Sequence, residues 1–193
     1  MAVLINAFAV PTEADEPFVA GWERARDFLA TRSGFTDTTL HRAVRDDAEF
    51  RFVNVARVES SEAWRDAVSD PAFPGREMPF DSHPSLYEVV HDEGAADGSD
   101  GVVLINLFEV PPEADDGFTA GWYEAREFLA AQAGFLGTRL HRSLAPADFR
   151  FVNIARWSSP LAFSRAVQRP EFQQTAAAMP FRSHPALYAV IRS

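Results

Sequence analysis

An asparagine stands among aromatic residues in the run Phe149-Arg150-Phe151-Val152-Asn153, and again in Phe50-Arg51-Phe52-Val53-Asn54. Both runs read as strands, in which alternate side chains share a face. One face then carries Phe149, Phe151, Asn153, Ala155 and Trp157, and its counterpart carries Phe50, Phe52, Asn54, Ala56 and Val58. An amide on such a face needs backbone, water or a ligand as partner, because burying it unsatisfied costs about 1–3 kcal/mol. His41 and His141 fall on the strand before each run. An imidazole with a reference pKa near 6.5 suits the abstraction of a phenolic or benzylic proton at neutral pH, although a core hydrogen bond would occupy it equally well. Trp22 and Trp122 lie on helical apolar stripes, where a core role and a pocket wall are both open. His83 and His184, each in a Ser-His-Pro segment, either close a loop by a hydrogen bond or line a pocket.

These residues come in pairs because the chain repeats itself. VLINAFAVPTEAD at Val3 returns as VLINLFEVPPEAD at Val103, and AGWERARDFLA at Ala20 returns as AGWYEAREFLA at Ala120. MPFDSHPSLYEV likewise returns as MPFRSHPALYAV. About half of the aligned positions are identical, so two copies of one unit of ordinary domain size are fused head to tail. Residues 1–91 form the first repeat and 101–193 the second. The acidic, Ala- and Gly-containing stretch 92–100 reads as a flexible linker.

Composition narrows the function classes. The chain of 193 residues is 47% hydrophobic with 17 Phe, enough for two cores. It has no Cys, which excludes disulfides, a thiolate nucleophile and Cys-based metal sites. All 18 basic residues are Arg, so no Schiff-base or phosphate-loop lysine exists. The five His are dispersed without metal-ligand spacing, and no metal is expected. The net charge of -10 disfavours nucleic acid and anionic membranes as partners. It is concentrated in residues 1–100, with 9 Arg against 20 acidic residues, whereas residues 101–193 carry 9 against 8. No membrane-spanning run and no leader segment are apparent, which places the chain in the cytoplasm.

Each repeat predicts the same elements. A strand over 3–10 is followed by a helix over 15–32, whose Phe18, Trp22, Ala25 and Leu29 recur at spacings of three and four. Strands over 36–44 and 49–59 are joined by a polar turn; a helix over 60–69 with Ser60 as N-cap and a last strand over 85–91 follow. The order β-α-β-β-α-β is the ferredoxin-like arrangement, an α+β fold with helices on one face of an antiparallel sheet. Two such repeats are expected to bury their bare sheet faces together as an intramolecular dimeric α+β barrel, with association into higher oligomers open.

The motif GF-x4-LH (Gly34 to His41, Gly134 to His141), then FVN with Ala-Arg and Trp157 four residues after Asn153, resembles the antibiotic biosynthesis monooxygenase family. That family includes anthrone oxygenases of aromatic polyketide pathways. The resemblance implies oxygenation with no cofactor, in which an electron-rich phenolic substrate itself reduces O2 to give a quinone. It also implies catalytic roles for Asn153 and Trp157, and for Asn54 in the first repeat, where Val58 replaces the Trp. His41 and His141 match a histidine of the family. The Tyr that relatives carry near the start of the second helix is absent; Trp64 and Phe163 stand there. On this reading Asn153 hydrogen-bonds the substrate oxygen or peroxide and Trp157 stacks on the rings, with His141 as base. Trp22, Trp122, Phe151, Phe163, Trp64, His83 and His184 would line the pockets. Haem-degrading relatives share a strand-one Asn, as at Asn6 and Asn106, but need a His on the second helix that neither repeat has. A polyketide cyclase and a non-catalytic small-molecule binder on the same fold are the alternatives.

Overall fold

A computed structural model describes residues 1–94 and 101–193. They form two compact units, residues 1–88 with 190–193, and residues 89–189. In the first repeat β1 spans Ala2–Ala9, α1 Asp15–Ala30, β2 Phe35–Ala43, β3 Phe52–Val58, α2 Ser61–Ser69 and β4 Asp81–Gly94. In the second, β5 spans Val102–Glu109, α3 Asp115–Ala130, β6 Phe135–Ser143, β7 Phe151–Trp157, α4 Pro160–Val167, α5 Pro170–Ala177 and β8 Arg182–Arg192. No helix among the described residues is long and apolar enough to cross a membrane.

Unit 1 is an antiparallel sheet in the order β4-β1-β3-β2, with the tail of β8 beside β2. Unit 2 repeats this as β8-β5-β7-β6, with the tail of β4 beside β6. Each unit thus has the ferredoxin-like order that the sequence implies, extended by a few residues of strand from the other repeat.

The long helices form because their apolar residues keep helical spacing: α1 buries Phe18, Gly21, Trp22, Ala25 and Leu29. Phe18 is fully buried and stacks on Phe52 at 4.3 Å, with Phe8 and Phe80 edge-on at 4.9 and 5.6 Å. Phe118 repeats this on Phe151 at 4.3 Å, with Phe108 and Phe181 at 4.8 and 5.7 Å. The N-terminal end of α1 is tied to the sheet by Arg51, which donates to both Asp15 oxygens at 2.9 and 2.7 Å. Arg150 grips Asp115 in the same way at 3.0 and 2.5 Å. Such bidentate pairs fix orientation as well as proximity. Ser60 caps α2 by accepting from Ala63 N at 3.1 Å, and Ser159 caps α4 through Ala162 N at 3.1 Å. Those helices press on the turns before β2 and β6. There Gly34 and Gly134 have φ of 84° and 91°, and an added Cβ would come within 2.6 Å of Ala63 and Ala162.

Two expectations are corrected. The last strand of the first repeat does not stop at residue 91 but runs to Gly94, so 92–94 are strand rather than linker; residues 95–100 of the expected linker lie outside the described residues. The acidic side chains that suggested a solvated tether are paired instead, Asp92 with Arg139 at 2.9 Å and Glu93 with Arg126 at 2.6 Å. The second repeat also has an unexpected helix, α5, where the first has a short 3-10 turn at Pro74–Glu77. Pro170 at its first turn, followed by Gln and Ala, favours helix there, whereas the first repeat has Pro74-Gly75.

Candidate functional site

Register decides which candidates can meet. Asn54 on β3 lies directly opposite Leu40 on β2 and Asn6 on β1, while the next residue back, Val53, lies opposite His41 and Ala7. Paired residues share a face and neighbours alternate. Leu40 packs in the cluster with Phe18 and Trp22, so Asn54 faces helix α1. His41 therefore faces the other way. The second repeat is the same: Asn153 pairs with Leu140 and Asn106, and His141 pairs with Val152.

The expectation that His41 and His141 act on a substrate beside Asn54 and Asn153 is corrected on this ground. Each is nearly sealed, with Nδ1 3.2 Å from Val53 O and 3.1 Å from Val152 O. Burial pushes both imidazoles down to about 4, against the weaker opposing pull of those carbonyls. A folded value near 4 lies below the unfolded value near 6.5, so as pH falls the unfolded chain takes up protons first. The stability these groups contribute is fully present above about pH 6.5 and is lost as pH falls towards about 4, on the order of 3 kcal/mol for each histidine. Thermal melts between pH 8 and pH 4 are expected to show this loss, and the double variant H41Q/H141Q to flatten it; an equally steep acid loss in that variant would refute the assignment.

His83 and His184 share the histidine face, being in register with Ala7 and Leu107. His83 packs edge-on against Phe50 at 5.3 Å. His184 Nε2 lies 2.9 Å from Glu109 Oε1, and its ring meets Phe149 at 5.3 Å. Neither lines the asparagine side of its sheet. Trp157 is on the Asn153 face but is fully buried in a separate cluster with Val102, Leu104, Ala155 and Ala166. Phe135 and Phe163 meet its ring edge-on at 5.5 and 5.6 Å, and its Nε1 is buried without a hydrogen bond. Phe163 thus supports Trp157, and Trp64 is its partly buried counterpart on α2.

What the helix-facing side does assemble is an amide, a threonine and an indole. In unit 1, Asn54 Oδ1 accepts from Trp22 Nε1 at 2.9 Å and from Thr38 Oγ1 at 2.6 Å. In unit 2, Thr138 Oγ1 donates to Asn153 Oδ1 at 2.7 Å, but Trp122 donates to no group among the described residues. Trp122 remains beside Leu140 and Phe151, the neighbours of Asn153, and its ring meets His91 and Tyr123 edge-on at 5.1 and 5.2 Å. With their oxygens engaged, Asn153 and Asn54 present amide N–H donors that no protein group among the described residues accepts. The Oδ1 atoms of Asn6 and Asn106 are buried without partners across the strand from them.

The sequence reading missed Thr38, Thr138, His91 and Tyr123. Both threonines share a face with Leu40 and Leu140, but only the register of those leucines with Asn54 and Asn153 puts them on the asparagine face. His91 was legible only as the residue that replaces Arg192 of the second repeat.

The comparisons agree with this architecture. A family model described as antibiotic biosynthesis monooxygenase matches residues 101–178. No curated protein matches the sequence. Among solved structures, an anthrone oxidase-like protein superposes with a TM-score of 0.81 at 17% identity, over 99% of this chain and 91% of that one. The haem-degrading enzyme of Listeria monocytogenes gives 0.54 at 17% identity, over 98% and 99%. A mutant of SnoaB, a cofactor-independent oxygenase from Streptomyces nogalater, is 30% identical over 49% of this chain and 96% of that one, with a TM-score of 0.45. With its second repeat matched by the family model and its first repeat a duplicate of the second, the chain belongs to the antibiotic biosynthesis monooxygenase family.

Proposed function

We propose that unit 2 binds a phenolic aromatic ring, of the anthrone type, and catalyses its oxidation by O2 to a quinone without a cofactor. The observation that carries this reading is the pair of unengaged donors in unit 2, the Asn153 amide and the Trp122 indole. Thr138 holds the Asn153 carbonyl at 2.7 Å, which leaves the amide N–H without a protein acceptor among the described residues. Two N–H groups on an apolar wall favour an oxygen that is gaining negative charge, either the phenolate or a peroxide formed from it. A phenolate is electron-rich enough to pass one electron to O2. The ring radical and superoxide then combine at the benzylic carbon, and the peroxide loses water to leave a carbonyl. One O2 is consumed, the substrate gains one oxygen and loses two hydrogens, and one water is formed. Trp122, beside Leu140 on the same side of the sheet, supplies the aromatic surface for a ring substrate. In unit 1 the same indole is bonded to the amide, which leaves that site without the second donor; we therefore assign turnover to unit 2.

The test is to incubate the metal-free chain with 1,8-dihydroxyanthrone under air, with a chelator present. Oxygen uptake equal to substrate consumed and a rising quinone absorbance are expected. Binding without oxygen uptake would identify a non-catalytic binder, and loss of water alone from a poly-β-ketone supplied in place of the anthrone would identify a cyclase. Either outcome would overturn the oxygenase reading.

A further inference from the structure

The tail of β4 gives unit 2 a side chain of which unit 1 has no copy. His91 of the first repeat corresponds to Arg192 of the second, since Tyr87 and Tyr188 occupy the same register against β1 and β5. Arg192, in unit 1, donates to Glu23 at 2.7 Å and closes an ion pair beside Trp22 in the chain. In unit 2 the corresponding residues are His91 and Tyr123, whose rings meet edge-on at 5.4 Å. His91 also lies edge-on to Trp122 at 5.1 Å, and its Nε2 is buried with no hydrogen-bond partner among the described residues. A buried ring nitrogen left unpaired is unfavourable, and a donor that reached it would restore the missing bond.

Among the described residues, the carboxylates that follow this imidazole on its strand are paired with arginines. On its own strand, Glu93 Oε2 stands 3.8 Å from Nε2, beyond hydrogen-bond reach. That carboxylate is held by Arg126 of α3, and this hydrogen bond keeps Glu93 below the usual carboxylate range. Asp92 is paired with Arg139 of β6 at 2.9 Å. Tyr123 is the remaining titratable group against the ring. Glu93, engaged by Arg126, leaves the imidazole nitrogen unoccupied.

We propose that His91 is the proton acceptor of the unit 2 site, taking the phenolic proton of the bound ring while Asn153 and Trp122 hold the oxygen. The proposal rests on the reading of unit 2 as a phenol site. The substrate O–H bond breaks, its electron pair stays on oxygen as the phenolate, and the proton moves to Nε2. The proton then passes from Nε2 to the outer peroxide oxygen; the remaining benzylic C–H and the O–O bond break, the C–H electron pair forms the carbonyl, and the C–H proton joins the departing hydroxide as water. Arginine at the corresponding position of unit 1 has no lone pair to offer, which separates the two sites by chemistry as well as by hydrogen bonding.

The test uses the full chain carrying H91Q or H91A, assayed with 1,8-dihydroxyanthrone across pH. The expected result is a fall in kcat of about a hundredfold, with KM changed by only a few-fold and the rising limb of the pH profile lost. Added imidazole should restore part of the H91A rate, which a structural loss would not allow. An H91Q chain that keeps the wild-type kcat and pH profile overturns the assignment. A second measurement needs no turnover: histidine-15N spectra of the wild-type chain titrated with 2-naphthol, with the His91 signal identified by its absence in H91Q. The His91 ring resonance is expected to shift on addition of the phenol, and an unmoved resonance in the presence of bound naphthol overturns the proposal. Should no oxygen be consumed while that resonance shifts, the oxygenase reading fails and the contact of His91 with the phenol stands.

Discussion

Replacing Asn153 with alanine is expected to lower the oxygenation rate by about a hundredfold to a thousandfold, the loss typical of removing one fixed donor from a developing oxyanion. The mutation removes the unengaged amide but leaves Thr138 its second acceptor, Ile154 O at 3.3 Å, so the fold should tolerate it. Asn54→Ala is the informative control. It deprives Trp22 Nε1 of its acceptor, while Thr38 keeps Val55 O at 3.3 Å; the stranded indole N–H should destabilise the chain by about 1–3 kcal/mol while leaving the rate within about twofold. The two variants should therefore separate activity from stability in opposite directions. Steady-state oxygen uptake and urea midpoints measured on the same samples check this. If Asn54→Ala abolishes turnover and Asn153→Ala does not, the active site has been assigned to the wrong unit.

Phe118→Ala is expected to destabilise the chain by about 3–5 kcal/mol, the range for truncating a buried aromatic whose cavity cannot collapse. Phe118 is fully buried, stacked on Phe151 and flanked edge-on by Phe108 and Phe181. Its neighbours come from two strands and the approach to β8, so no single shift can fill the space it leaves. Against a typical total stability of about 5–15 kcal/mol, this is a large share. Leu161, which is 58% exposed, supplies the contrast: Leu161→Ala should fall within about 0.5 kcal/mol of wild type. Denaturant melts of both variants decide the matter, and a cost below about 1 kcal/mol for Phe118→Ala would mean that the four-ring cluster does not hold α3 to its sheet.

Strand order and helix stripes were legible in the sequence because each depends on local periodicity. Phe18, Trp22, Ala25 and Leu29 repeat at helical spacing, Ser60 and Ser159 cap where they were expected or matched, and alternation along β3 and β7 put the asparagines among phenylalanines. The histidines were misjudged because parity within one strand says nothing about its neighbour. Only the pairing of His141 with Val152, rather than with Asn153, shows which way it faces. Asp92 and Glu93 were misread because acidic residues beside Ala and Gly look solvated until Arg139 and Arg126, distant in sequence, are brought to them. Trp122 and Trp22 are alike in sequence; that one bonds its asparagine and the other does not is a matter of packing that composition cannot convey.

The ownership of the strand tails carries a consequence for how the two repeats diverged. Were this protein built from two identical polypeptides, a histidine at the end of one would oblige a histidine at the end of the other, and both lobes would age alike. Covalent fusion releases that constraint, so the closing residues of the two repeats can differ, as His91 and Arg192 do. A substitution at the end of β4, written in the first repeat, alters the surroundings of Trp122 in the second.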